Sequence, residues 1–259
     1  MSPTARWIRY EHAGTRGFGT LDGETIAVHA GDMFGEPAAT GETVPLSAVK
    51  TLTPTDAPKY VCLWNNFAAL GAKLGLAVPA TPLYLLKAGS SYLADGETIR
   101  KPPFYDGRVI FEAELGVVIG KRCSGADEAE ARAAIFGYTC INDVTAFELL
   151  NEDPSFQQWT RAKSFDTFGV FGPVVATGLD PDTLTIRAVL DGEERQSYPA
   201  SDMLVKPARL VSLLSRSMTL VPGDVIACGT SIGAGKMNPG SRIEVVIDGI
   251  GTLANRYEV

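Results

Sequence analysis

The stretch Val109-Ile110-Phe111-Glu112-Ala113-Glu114-Leu115-Gly116-Val117-Val118-Ile119-Gly120 decides how the chain is read. β-Branched and aromatic side chains dominate it and a glycine closes it, which is the composition of a strand. Side chains two apart on a strand leave the same face, so Glu112 and Glu114 are neighbours. The run Val117-Val118-Ile119 has no polar alternate, so the strand reads as covered on both faces. Two adjacent carboxylates in such a place repel and call for a positive charge between them. A hard divalent cation, Mg²⁺ or Mn²⁺, suits them, because such ions take carboxylates and keep waters that a substrate can displace. An isolated Glu-x-Glu is more often a solvated strand face, and a third ligand is what makes the pair persuasive.

Asp143 is the natural third carboxylate. Phe136 to Ile141 reads as a strand ending at Asn142-Asp143, where a side chain projects from the sheet margin toward a shared cavity. Alone, Asn142-Asp143 before Val144-Thr145-Ala146 more often suits a helix N-cap, and residues 144–150 read as helical. Lys163, in Arg161-Ala162-Lys163-Ser164-Phe165-Asp166, sits between polar and aromatic residues where an ammonium can face an anionic ligand; most lone lysines are merely solvated.

The loop from Gly229 to Met237 offers two weaker matches. As a P-loop it fails, since Gly229 and Gly235 are one residue too far apart and Met237 stands where a Mg²⁺-binding hydroxyl belongs. As G-x-S-x-G it follows a strand, but Asn238-Pro239-Gly240 follows it in place of a helix, and His12 and His29 both precede Ser231. A serine hydrolase is disfavoured. The loop's backbone N–H groups remain able to grip a substrate carboxylate.

The 259 residues carry 23 Lys and Arg against 30 Asp and Glu, a formal charge of −7, with no basic cluster to track phosphates, which argues against nucleic acid. No segment approaches the roughly 18 apolar residues of a membrane span, and the first residues lack an apolar signal core. A cytoplasmic protein with no membrane partner is expected. Cys62, Cys123, Cys140 and Cys228 are scattered without zinc spacing and read as reduced core residues. His12 and His29 read as structural.

In chain order, strands over 7–10, 18–21 and 25–28 around an Asp22-Gly23 turn form a small β subdomain. The proline-bearing stretch 51–59 marks a boundary, giving 1–58 as that subdomain and 59–259 as the main domain. Beyond it, helices are expected over 67–76, 127–135 and 208–217, and strands at 60–63, 84–86, 136–141, 170–176, 185–190, 225–228, 242–247 and 252–257. The fold class is α+β and β-dominated.

Four motifs carry a resemblance over about residues 60–259: Phe111 to Lys121, Gly137 to Ala146, Ala162 to Phe168, and Pro222 to Thr230. In this order they resemble the fumarylacetoacetate hydrolase family. The resemblance implies a mixed β-roll core, usually a homodimer, with Mg²⁺ or Mn²⁺ held by Glu112, Glu114 and Asp143. It also implies that Lys163 stabilises negative charge on the substrate and that Thr230 contacts its carboxylate, with Gly229 and Phe67 beside it. One departure stands out. Family hydrolases resemble Gly-x-Asn-Tyr-x-x-His-x-x-Glu where this chain has Trp64 to Lys73, so Leu70 and Lys73 replace the water-activating His and Glu.

Three functions fit in descending order. The first is an isomerase or decarboxylase of a small 2-oxo or 2-hydroxydienoic dicarboxylate. The second is a C–C hydrolase of an acylpyruvate with its base supplied from elsewhere. The third is a silent homologue that binds metal and dicarboxylate.

Overall fold

The computed structural model describes residues 4–259. Its centre is a 12-stranded sheet whose main path runs Ala38–Pro45, Thr25–Ala30, Thr15–Asp22, Arg6–His12, Gly169–Ala176, Ile135–Asp143, Ala113–Ile119, Val225–Ala227, Tyr60–Trp64 and Leu83–Lys87. Most neighbours are antiparallel, but Val225–Ala227 lies parallel to Tyr60–Trp64, so the sheet is mixed. A five-stranded sheet runs Glu193–Pro199, Thr185–Leu190, Arg242–Ile247, Gly251–Glu258 and Thr98–Arg100, and a three-stranded one joins Thr145–Ala146, Val109–Phe111 and Gly235–Lys236. The β-dominated expectation and the mixed core both hold.

The N-terminal strands extend the same large sheet, because Arg6 and Trp7 pair with Ala176 and Val175. The Asp22-Gly23 turn is a tight hairpin closing on Asp22 and Thr25, as its sequence predicts. His29 donates from Nδ1 to the Ala27 carbonyl, meets Trp7 edge-on and stacks with Phe18, a structural role. All four cysteines are buried and free. Among the described residues no helix is long and apolar enough to cross a membrane.

Two local expectations are corrected. The stretch 109–120 is not one strand: Val109–Phe111 belongs to the three-stranded sheet and Ala113–Ile119 to the large one, with Glu112 at the crossing. The end of the neighbouring strand Ile135–Asp143 holds the crossing, since Glu112 N donates to Asn142 Oδ1 and Asp143 N donates to Glu112 O. Residues 144–150 are not an α-helix. Thr145–Ala146 is a short strand against Val109 and Ile110, followed by a single 3₁₀ turn at Phe147–Asn151. A β-branched pair, Val144-Thr145, facing an open strand pairs more readily than it coils.

Ala113–Ile119 is buried at every position, Glu114 included, and the run Val117-Val118-Ile119 predicts this cover on both faces. Gly116 lets the neighbouring strand come close: a Cβ there would meet the Ile141 and Thr139 side chains at 2.6 and 2.8 Å. This close pairing brings Glu114, opposite Ile141, and Asp143 to one margin of the sheet.

Candidate metal centre

Three carboxylates meet at that margin. One ligand oxygen from each of Glu112, Glu114 and Asp143 lies within 4.8 Å of the others. The N-cap alternative for Asp143 falls away, because it is the buried last residue of Ile135–Asp143. Its two oxygens face two lysines: Lys163 Nζ is 2.6 Å from Oδ2 and Lys87 Nζ is 2.6 Å from Oδ1.

Lys163 closes the short helix Trp159–Lys163 and is 3% exposed, so it is not one of the merely solvated lysines. Its ammonium donates to Glu112 Oε2 at 2.5 Å, Asp143 Oδ2 at 2.6 Å and Thr145 Oγ1 at 2.8 Å, which uses all three hydrogens. Burial pulls this lysine's pKa down, and the charges of Asp143, Glu112 and Glu114 more than reverse it, so it stays protonated above the ordinary lysine value. For Asp143, burial pushes the carboxyl up, and Lys163 and Lys87 bring it below its usual value.

Glu114 is the outlier. Burial, then the charges of Asp143 and Glu112, hold its carboxyl well above the ordinary glutamate range. Among the described residues the one donor to it is Gly229 N, at 2.7 Å to Oε2. Gly229 has φ 94°, the left-handed region, which lets the loop turn its N–H onto this carboxylate. The glycine loop's N–H is thus taken by one of the protein's own carboxylates, not by the substrate carboxylate expected from the sequence.

Behind the triad a hydrogen-bonded layer fixes Ala113. Gln196 Oε1 accepts from Ala113 N at 2.9 Å, while its Nε2 donates to Thr230 Oγ1 at 3.0 Å. Thr230 Oγ1 and the Tyr198 hydroxyl both donate to Ala113 O. Phe67 is fully buried and packs edge-to-face on Tyr198, with ring centroids 5.0 Å apart. Leu70 is half-buried and Lys73 exposed on the helix Ala68–Leu74.

The donor set fits a divalent cation. Two buried carboxylates and the half-buried Glu112 against two ammonium groups leave one negative charge uncompensated, and Glu114 lacks a cationic partner within ion-pair distance among the described residues. Carboxylate oxygens at this spacing are the ligands that hard cations take.

Sequence reasoning missed Lys87, Thr145, Gln196 and Tyr198. Gln196 and Tyr198 carried a faint signal, since they alternate on Glu193–Pro199 and face inward together. For Lys87 the signal was a lysine ending an apolar strand run.

Mixed sheets that bring three carboxylates and a buried lysine to one margin define a class of β-rich proteins with an acidic, lysine-braced site. The chain belongs to the fumarylacetoacetate hydrolase family: residues 59–258 match the model of the fumarylacetoacetate (FAA) hydrolase C-terminal domain. Residues 5–54 match the Rv2993c-like N-terminal domain. The chain is 38% identical to Protein Rv2993c of Mycobacterium tuberculosis, covering 92% of each chain. It is 40% identical to the mitochondrial oxaloacetate tautomerase FAHD1 of Arabidopsis thaliana, over 75% of this chain and 87% of that one. The crystal structure of 2-hydroxyhepta-2,4-diene-1,7-dioate isomerase from Mycobacterium marinum superposes with a TM-score of 0.89 at 35% identity, covering 98% of each chain.

Proposed function

We propose that the protein is a divalent-cation-dependent enzyme that isomerises or decarboxylates a small 2-oxo or 2-hydroxydienoic dicarboxylate. The observation that carries this reading is the convergence of Glu112, Glu114 and Asp143 beside the buried ammonium of Lys163. The three carboxylates would hold Mg²⁺ or Mn²⁺, which when bound supplies Lewis-acid polarisation of a 2-oxo acid's oxygens.

The chain's own residues do the rest. Lys163 holds its proton firmly and offsets the charge that develops on the substrate oxygen as a proton or carboxyl group leaves the adjacent carbon. Glu112, with a side chain 12% exposed against 1% for Asp143 and 4% for Lys163, marks the side from which substrate enters. Gly229, Thr230 and Phe67 support the triad from behind, through Glu114, Ala113 and Tyr198 respectively.

Isomerisation or decarboxylation is favoured over C–C hydrolysis because Leu70 cannot carry a proton and Lys73 points from an exposed helix position. Moving a proton within the substrate needs no activated water. The named activities of the Arabidopsis tautomerase and the M. marinum isomerase are of this kind. A homodimer, implied by the family resemblance, belongs to the same reading; sedimentation at twice the chain's 27.5 kDa is the result expected, and sedimentation at the chain mass would contradict it.

The test is ultraviolet assay of oxaloacetate and hydroxymuconate-type acids with chelator-stripped protein. Activity should return with Mg²⁺ or Mn²⁺, and equal activity without metal contradicts the reading. Faster release of pyruvate from acylpyruvates than isomerisation of either acid assigns the site to hydrolysis.

A further inference from the structure

Lys87 is a buried charge to which the reading above gives no task. It ends the edge strand Leu83–Lys87, and its side chain is 0% exposed. Its ammonium lies 2.6 Å from Asp143 Oδ1 and within hydrogen-bond distance of three carbonyl oxygens: Lys163 at 2.7 Å, Phe168 at 2.8 Å and Val144 at 3.2 Å. An ammonium has three hydrogens, so four oxygens compete for them and Asp143 Oδ1 is held chiefly by charge.

The four oxygens belong to three separate pieces of chain: the end of the strand carrying Asp143, the end of the helix carrying Lys163, and the turn at Phe168. The next residue repeats the link, as Ala88 N donates to Ser164 Oγ at 3.0 Å. A buried ion pair is a poor way to gain stability, since replacing both partners by apolar residues of similar volume often serves as well. What it supplies here is registry. With Oδ1 occupied by Lys87, Asp143 presents Oδ2 to the site, and with its carbonyl tied to the same ammonium, Lys163 keeps a fixed height above that oxygen.

We propose that Lys87 is a positioning residue, a buried brace that sets the geometry between Asp143 and Lys163 without itself meeting substrate. This rests on the functional reading above, and the experiment separates the two. Wild type, Lys87→Met, Lys163→Met and the double variant are compared for Mn²⁺ affinity and for oxalate affinity of the Mn²⁺-loaded protein, both by calorimetry, and for kcat on the substrate turned over. Lys87→Met is expected to melt lower than wild type, because Asp143 Oδ1 and three carbonyls lose their donor, but to fold and bind Mn²⁺, while oxalate affinity and kcat fall by about 100-fold, the effect of a misplaced catalytic group. In the Lys163→Met background, removing Lys87 should change either quantity by no more than about twofold, because its target is gone. Lys87→Arg, which keeps the charge and the donors, should recover part of the loss.

Failure of wild type to bind Mn²⁺ overturns the functional reading and this inference with it. A working wild type matched by Lys87→Met in oxalate affinity and kcat overturns the inference alone, as does an equal loss in both backgrounds. Should Lys87→Met not fold, Lys87→Arg carries the test: a folded variant with reduced oxalate affinity supports positioning, and one identical to wild type overturns it.

Discussion

Glu114 sits among like charges with a single backbone donor, and its substitution separates folding from binding. Glu114→Gln removes the repulsion from Glu112 and Asp143 but also a ligand. The metal-free variant should melt about 2–4 °C higher than wild type, the equivalent of about 1 kcal/mol, and lose the stabilisation that added Mn²⁺ gives wild type. Differential scanning fluorimetry with and without Mn²⁺ reads both effects. Glu148 is a residue whose pH behaviour follows from its partners. Burial raises its carboxyl, but hydrogen bonds from the Tyr105 hydroxyl and from Arg108 outweigh that and bring it to about 2 from an ordinary 4.5. A depressed carboxyl stabilises the fold above its unfolded value and loses that contribution as pH falls through the folded one. Urea midpoints should therefore place Glu148→Gln below wild type at neutral pH, with the gap closing as pH drops from 4.5 toward about 2.

At the scale of elements, the left-handed turn at Gly229 joins a strand to the site. A Cβ there would lie 3.4 Å from Leu63 O and from the Asn66 Cβ, so it fits in space but not in backbone conformation. Gly229→Ala should cost about 1–2 kcal/mol through the positive φ, and it should weaken Mn²⁺ binding by misdirecting the N–H that holds Glu114; denaturant melts and calorimetry test the two parts. The elements also show what the sequence could carry. The triad was legible because alternation along 109–120 and the strand end at Asp143 are local signals. The break at Glu112 was not, because nothing in Phe111-Glu112-Ala113 announces a change of sheet; Asn142, 30 residues on, holds it. Residues 144–150 misled because Phe147, Leu149 and Leu150 have helical spacing, while Val109 and Ile110, far away in sequence, offered Thr145 and Ala146 a strand to join. Ala38–Pro45 went unread because it is almost wholly exposed and has no apolar alternation. Lys87 could be noticed as a lysine ending an apolar run, but its role could not be read: its four oxygen partners lie 56 or more residues away, three of them on backbone that any residue type provides.

For the whole molecule, the fold delivers Glu114 and Asp143 from paired strands of one sheet, Glu112 from the crossing beside them and a lysine from a helix beyond, so a cation held there would be linked to global stability. A cation that binds only the folded state at 100 times its dissociation constant stabilises by about 2.7 kcal/mol, a rise of about 5–10 °C for a chain of this size. Glu112, Glu114 and Asp143 are proposed to form one divalent-cation site. Titration of Mn²⁺ into chelator-stripped protein, followed by electron paramagnetic resonance of the free ion, tests it most directly. The account predicts one ion bound per chain, with binding lost in Asp143→Asn although that variant remains folded; equal binding by wild type and Asp143→Asn, or no binding by wild type, would contradict it.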